Sequence, residues 1–243
     1  MICDLCFHRC NLSGGQTGFC RARACQDGKI VPLNYGKITS IALDPIEKKP
    51  LRRFHPGSKI LSVGSFGCNL RCPFCQNYEI SMSGEKELET AELSPEALAD
   101  KALELRLYGN IGVAYTYNEP LVGYEYVRDC ASLVHERGMV NVLVTNGTIE
   151  EAPWRTLVPL IDAVNIDLRL SLANTMVDFY RRCTAHLIGN VSVDIQCGTA
   201  GDVADNSGQS FDVHPMLQGS GRKCVPEIVK SDFLTFCPFQ NGL

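Results

Sequence analysis

The chain has 243 residues, 45% of them hydrophobic, with a formal net charge of −4. That is enough for one large domain plus a small appendage, with a composition ordinary for a globular protein. The acidic balance and scattered Lys and Arg exclude a basic footprint for nucleic acid or an anionic membrane, and the pairs Lys48-Lys49 and Arg52-Arg53 read as solvated surface.

The chain opens Met1-Ile2-Cys3-Asp4-Leu5-Cys6, with no basic region followed by an apolar stretch, and no apolar run approaches the roughly 20 residues of a membrane span. A cytoplasmic protein without membrane partners is expected. Thirteen cysteines in a reducing compartment point to metal or redox chemistry rather than disulfides. Four of them, Cys3, Cys6, Cys10 and Cys20, are spaced C-x2-C-x3-C-x9-C, with Cys25 beyond and glycines Gly14, Gly15 and Gly18 between the last two. Such a segment buries little apolar surface by itself, so a bound metal is expected to organise it. Structural zinc, an auxiliary iron–sulfur cluster and free thiols are the readings of these four cysteines. His8 could substitute as a ligand, although a lone loop histidine is more often solvated.

Residues 30–58 read as a short strand pair and a connector. Asn34-Tyr35-Gly36-Lys37 is a turn signal. Asp44-Pro45-Ile46-Glu47-Lys48-Lys49-Pro50-Leu51, polar and punctuated by proline, reads as the join to the main domain. Residues 1–58 therefore form a Cys-rich N-terminal segment and connector.

From Lys59 strands and helices alternate. Ile60 to Phe66 is predicted as a strand. Ser94-Pro95-Glu96 opens a helix, with Ser as N-cap and Pro at the first helical position, and Leu98, Ala102 and Leu105 give it an apolar face. Asn110 to Tyr115 is the second strand. The next helix carries Val122, Tyr126, Cys130, Leu133 and Val134 on one face and stops at Gly138; Cys130 on that stripe reads as a core thiol. Met139 to Thr145 is a third strand, Pro153 opens a short helix, and Ala163 to Leu168 is a fourth strand. This alternation implies βαβ units and a parallel sheet.

In such sheets ligands gather at the C-terminal ends of the strands. Every suggestive polar group falls there: Thr116-Tyr117-Asn118-Glu119-Pro120 after strand two, Thr145-Asn146-Gly147 after strand three, Asn165-Ile166-Asp167-Leu168-Arg169 at the close of strand four. After strand one comes Gly67-Cys68-Asn69-Leu70-Arg71-Cys72-Pro73-Phe74-Cys75, a C-x3-C-x2-C spacing. Three thiolates this close can hold three irons of a 4Fe–4S cluster, leaving the fourth iron open to a small ligand. A zinc site is one alternative; a redox pair Cys72-Pro73-Phe74-Cys75 is the other, but it has no use for Cys68.

The Cys68–Cys75 run resembles the signature of radical S-adenosylmethionine (SAM) enzymes. From Met1 to about Thr184 the chain is similar to one of their families, the AmmeMemoRadiSam system radical SAM enzymes, which are related to pyruvate formate-lyase activating enzymes. The matching runs are Cys3-Asp4-Leu5-Cys6, Gly18-Phe19-Cys20-Arg21, Asp44 to Leu51, the three-cysteine motif, Thr116 to Pro120, Val144 to Gly147 and Asn165 to Leu168. The resemblance implies an α/β fold, a partial parallel (β/α) barrel over 59–184. It implies that Cys68, Cys72 and Cys75 hold the cluster and that the open iron chelates SAM. It places Phe74 beside the adenine and sets the backbone of Tyr117, Asn118 and Glu119 to receive the SAM amino group. Asn146 would reach SAM after strand three, and Asp167 and Arg169 stand where the activating enzymes have Asp-Leu-Lys. A low-potential electron donor and an unidentified substrate, a protein glycine if the likeness extends to the reaction, complete the expectation.

Beyond Thr184 the family pattern fails. Val191 to Gln196 passes for a fifth strand, but Gly198-Thr199-Ala200-Gly201-Asp202 and the Gly/Ser/Asp-rich stretch after it show no period, and Cys224, Cys237 and His214-Pro215 show no ligand spacing. Residues 185–243 read as an atypical tail, as a frameshifted or truncated gene would produce, or as a lineage-specific one. The barrel is then expected to be incomplete, with an exposed parallel edge. The rival functions are a relative that keeps the cluster without cleaving SAM and an iron–sulfur or zinc-binding interaction protein.

Overall fold

The structure, a computed structural model, describes residues 1–51 and 53–168 and the backbone of four further strands. Arg52, Arg169, the stretch 198–202, His214-Pro215, Cys224, Cys237 and the 184/185 boundary lie outside the described residues.

In chain order the elements are β1 (Arg23–Gln26), β2 (Lys29–Pro32), β3 (Lys37–Ile38), β4 (Ser40–Pro45), β5 (Lys59–Gly64), α1 (Tyr78–Ser81), β6 (Ala91–Glu92), α2 (Pro95–Glu104), β7 (Asn110–Tyr115), α3 (Tyr124–Glu136), β8 (Val140–Thr145), α4 (Glu151–Leu157), β9 (Ala163–Leu168), β10 (Ser192–Cys197), β11 (Val203–Ala204), β12 (Ser210–Phe211) and β13 (Glu227–Ile228). The main sheet runs β4-β5-β7-β8-β9-β10-β13. Its five inner strands are parallel, and β4 and β13 pair antiparallel at the two edges.

The α/β alternation puts apolar residues on both faces of this sheet, as inner parallel strands require. Leu61, Val63, Val113, Tyr115, Leu143, Val164 and Ile166 pack under α2, α3 and α4, against Leu98, Ala102, Val127, Cys130, Trp154 and Leu157. On the opposite face Ile60, Ala114, Val142 and Ala163 meet Ile46 and Leu51, with Phe54 alongside. Cys130 is fully buried in the first layer, as its apolar stripe implies, and burial pushes its thiol pKa up.

Helix α2 starts as its sequence dictates: the Ser94 hydroxyl accepts the Ala97 N–H at 3.2 Å and Pro95 takes the first turn. The other expectations shift. Val122 sits on a 3-10 turn, Pro120–Gly123, that leads into α3. Helix α4 begins two residues before Pro153, with Glu150 as its N-cap. The turn at Asn34–Lys37 exists, but the strands on either side of it do not pair. β2 pairs with β1 and β3 with β6, because the buried Asn34 amide is drawn away to the Phe66 carbonyl at 3.2 Å.

The connector is not a polar loop. Ser40–Pro45 is a sheet strand against β5, and Ile46 and Lys49 are buried behind it. The Cys-rich segment packs into the fold: Cys3 and Leu5 join the main core, and Cys20 and Ala22 pack with Phe66 and Val122. The fifth parallel strand lies one residue beyond its expected start. Its outer edge is covered over two residue pairs by β13, so it is not bare there.

Gly112 shows how closely the strands approach: a Cβ there would fall 1.8 Å from the Val140 carbonyl oxygen. Gly112→Ala is therefore expected to cost about 2 kcal/mol or more in urea unfolding, because the clashing atom is backbone and cannot rotate away. An unchanged midpoint would show that β7 and β8 can part freely.

Candidate functional site

The C-terminal ends of β5, β7, β8 and β9 bring the expected polar groups together. After β5 the chain turns through Phe66 and Gly67. Gly67 has φ +87°, and a Cβ there would lie 2.5 Å from the Cys20 carbonyl oxygen and 2.8 Å from the Ala22 Cβ. Only glycine meets both demands. The next residue, Cys68, donates its backbone N–H to the same Cys20 carbonyl at 3.2 Å. The three-cysteine loop is thus seated directly on the N-terminal segment.

Within the loop the Leu70 N–H points at Cys68 Sγ at 3.3 Å, and the Cys75 N–H bonds to the Cys72 carbonyl at 3.1 Å. Asn69 is buried and spans three elements. Its amide donates to the Thr148 carbonyl (3.0 Å) and hydroxyl (2.8 Å), and its Oδ1 accepts Asn146 Nδ2 at 2.9 Å. Its backbone carbonyl meets His8 Nε2 at 2.8 Å. His8 is therefore a strut between the N-terminal segment and the cysteine loop, stacked between Phe7 and Phe19, and not a solvated side chain. Asn146 also brings Nδ2 to 3.9 Å from Cys68 Sγ.

Glu119, buried at 3% exposure, is the hub of the rim. Its Oε1 accepts the Thr145 hydroxyl (2.6 Å) and the Leu121 N–H (3.0 Å), and its Oε2 accepts the Asn146 N–H (2.7 Å). Burial, with the Asp167 charge adding to it, outweighs these donors and pushes the carboxyl pKa up to about 7. Asn118 accepts the Ser65 N–H and donates to the Phe66 and Gly67 carbonyls, both at 3.1 Å. Tyr117 has φ +72°. Its carbonyl accepts Asn77 Nδ2 at 2.7 Å, and its phenol donates to Asp44 Oδ2 at 2.8 Å. Lys49 Nζ bonds the same Asp44 oxygen at 2.9 Å and lies 4.9 Å from the Tyr117 ring centroid. Burial would raise the Asp44 pKa, but the bonds from Lys49, Lys48 and Tyr117 win and hold it well below the usual carboxylate range. Phe74 is exposed on the cysteine loop.

The donor sets have the right chemistry for metal. Cys68, Cys72 and Cys75 offer three soft sulfurs on one loop, with an N–H already directed at the first. Burial and the nearby Glu119 push the Cys68 thiol pKa far up, so a cation must displace its proton. Cys3, Cys6, Cys10, Cys20 and His8 line one small enclosed pocket behind the loop. Among the described residues, no three His, Cys, Asp or Glu side chains stand in an arrangement that already holds a metal ion.

Asn69, Thr148, Asp44 and Lys49 are participants not selected from the sequence as site residues, and His8 is legible there only as a possible substitute ligand. Nothing in a C-x3-C spacing distinguishes Asn69, and Asp44 and Lys49 look like a linker because their strand pairing is long-range.

A parallel α/β sheet with a triple-thiol loop at its carboxyl rim, backed by a buried carboxylate, places soft metal donors where open α/β sheets bind their ligands. Residues 62–172 match the family model of the Radical SAM superfamily. The "Uncharacterized protein MJ0808" of Methanocaldococcus jannaschii is 40% identical over 186 residues, covering 76% of this chain and 53% of that protein. The "Pyruvate formate-lyase-activating enzyme" of Clostridium pasteurianum is 33% identical over 106 residues, 42% of this chain and 44% of that enzyme. The chain thus spans about half the length of the curated relatives it matches. A solved structure of a histidine-tagged protein, "anSMEcpe with bound AdoMet", aligns over 52% of this chain and 48% of its own at 13% identity and a TM-score of 0.26, too slight a likeness to carry an argument. Among the described residues no helix is long and apolar enough to cross a membrane.

Glu119 makes a titration test. A carboxyl with its pKa raised from 4.5 to about 7 stays protonated in the folded chain while the unfolded chain ionises. Its contribution is fully present below pH 4.5 and lost as pH rises through about 7. The cluster-free chain is expected to lose about 3 kcal/mol of stability across that window relative to Glu119→Gln, measured by urea unfolding at several pH values. Parallel pH profiles would mean that Glu119 is already ionised.

Proposed function

We propose that this chain is a radical SAM enzyme whose cluster is held by Cys68, Cys72 and Cys75. When bound, a 4Fe–4S cluster supplies the electron that cleaves SAM reductively to methionine and a 5′-deoxyadenosyl radical able to take hydrogen from a substrate. The observation that carries the reading is the seating of the three-thiol loop at the rim of the parallel strands, within the segment matched by the superfamily model.

The chain's own residues would do the rest. The backbone of Tyr117, Asn118 and Glu119 offers acceptors to the SAM amino group, and Glu119 keeps that stretch and Asn146 at fixed separation. Asn146 and Asn69 orient the face of Cys68. Phe74 would lie against the adenine, and Asp167 and Arg169 would hold the rest of SAM. Burial behind Gly67 and the N-terminal segment excludes water from one side of the cysteine loop.

The finer statements belong to the same proposal. Residues 59–184 form a partial barrel, 1–58 its Cys-rich N-terminal part, and 185–243 an atypical tail. Cys3, Cys6, Cys10 and Cys20 take a second metal, zinc or an iron–sulfur cluster, closing their sulfurs on it as it binds. An electron donor of low potential serves the first cluster. The similarity to an activating enzyme favours a protein glycine as the hydrogen donor.

The test is anaerobic reconstitution with iron and sulfide, metal analysis, and quantitation of 5′-deoxyadenosine after adding SAM and a strong reductant. Product is expected from the wild-type chain and none from Cys68→Ala. A reconstituted, cluster-loaded chain without product would mean that it does not cleave SAM; a zinc-only, colourless protein would remove the reading altogether.

A further inference from the structure

Four of the five N-terminal cysteines, Cys3, Cys6, Cys10 and Cys20, line one enclosed pocket walled by Phe19 and Val122; Cys25, equally buried, does not. Cys6 is within electrostatic reach of Cys3 and Cys10, and Cys20 of Cys3 and Cys6. Three of these sulfurs already meet backbone donors. The Phe19 N–H bonds to Cys10 Sγ at 3.5 Å, and Cys6 and Cys20 each meet the N–H two residues further on, from His8 and Ala22. Cys68 receives the Leu70 N–H in the same manner. Amides directed at sulfur favour the thiolate over the thiol and give a metal–sulfur site its outer support.

A fourth donor comes from β1. Arg23 is 6% exposed, lines the same pocket and lies within electrostatic reach of Cys3 and Cys20. Its terminal nitrogens are spent on Glu125 at 2.7 and 2.8 Å and on the Val122 carbonyl at 3.2 Å. Its Nε–H has no partner among the described residues. A buried donor without an acceptor is costly, and a metal-bound thiolate in this pocket would supply the acceptor. The cavity is about 10 Å³, room for a single small ion and far too little for a cube of four irons and four sulfides.

We infer that this pocket takes one zinc ion on Cys3, Cys6, Cys10 and Cys20, with Arg23 as the charge partner of the tetrathiolate. The inference rests on the second-metal reading above and commits it to zinc. Zn²⁺ closes a tetrahedron of four sulfurs at about 2.3 Å and leaves no open position, as a structural site does. The sulfurs do not yet form that tetrahedron, and an ion would draw them inward, whereas a cluster would have to push the same walls apart. His8, whose Nε2 is spent on the Asn69 carbonyl, is not needed as a ligand. Four thiolates on Zn²⁺ make a doubly negative group, which the three amides and the Arg23 Nε–H disperse. The ion would also fix the groups that touch the other cysteine loop: the Cys20 carbonyl, which accepts the Cys68 N–H, and Cys6, which meets the Asn69 side chain.

The test uses the full chain carrying Cys68→Ala, Cys72→Ala and Cys75→Ala together, so that the radical SAM reading is not at stake in it. Purified without added iron, this chain is expected to hold one zinc by elemental analysis. Loaded with cobalt instead, it is expected to show the intense visible absorption of a tetrahedral cobalt thiolate site. Adding Cys6→Ser is expected to abolish both. Zinc affinity, measured by competition with a chromophoric chelator, is expected to fall about tenfold or more in Arg23→Lys, which keeps a cation beside Glu125 but has no Nε. It is expected to hold within roughly threefold in Glu125→Gln, which breaks the ion pair and leaves Nε in place. A chain without zinc, or one that takes up iron and sulfide at these cysteines on anaerobic reconstitution, would overturn the site. Unchanged affinity in Arg23→Lys, or an equal loss in Glu125→Gln, would overturn the part given to Arg23. Zinc held here by a wild-type chain that makes no 5′-deoxyadenosine would leave this site standing and remove only the radical SAM reading.

Discussion

One buried carboxylate holds the rim together. Glu119 takes a hydroxyl and a backbone N–H from the end of β8 and another N–H from the turn that starts α3. These bonds fix the loops after β7 and β8 against each other. Through Asn146 the constraint passes to Asn69 and so to the cysteine loop after β5. Three strand ends that are separate in sequence become one surface because a single acidic side chain, costly to bury, gathers donors from two of them.

A second constraint works from behind. Gly67 leaves no space between the cysteine loop and the Cys20 carbonyl, and His8 meets the Asn69 carbonyl from the same side. The N-terminal segment is thus part of the wall of the site. The antiparallel strand β4 plays the matching part on the other flank, where Asp44 and Lys49 grip the Tyr117 phenol and hold a residue with positive φ in place.

Much of this is legible in the sequence wherever the information is local. The limits of β7 and β9 follow from runs of alternating and continuous apolar residues, and the start of α2 from Ser94 and Pro95. The positions of Glu119 and Asn146 follow from the rule that places chemistry at strand ends. What the sequence hides is non-local. Asp44-Pro45 looks like a linker because proline and charge mark loops, yet Pro45 tolerates an edge strand and Asp44 is offset by a lysine five residues on. Asn34 looks like a simple turn residue until Phe66 claims its amide. His8 looks solvated until Asn69 arrives from 61 residues away. In each case the partner that decides the role is remote in the chain.

The seat of Gly67 on Cys20 also sets an order of events. The Cys68 N–H has its acceptor only when residues 18–22 are already in place, so the loop cannot take this shape ahead of its support. A substitution that disturbs residues 18–22 would therefore be felt in the shape of a loop nearly fifty residues away, although it touches none of the three thiols.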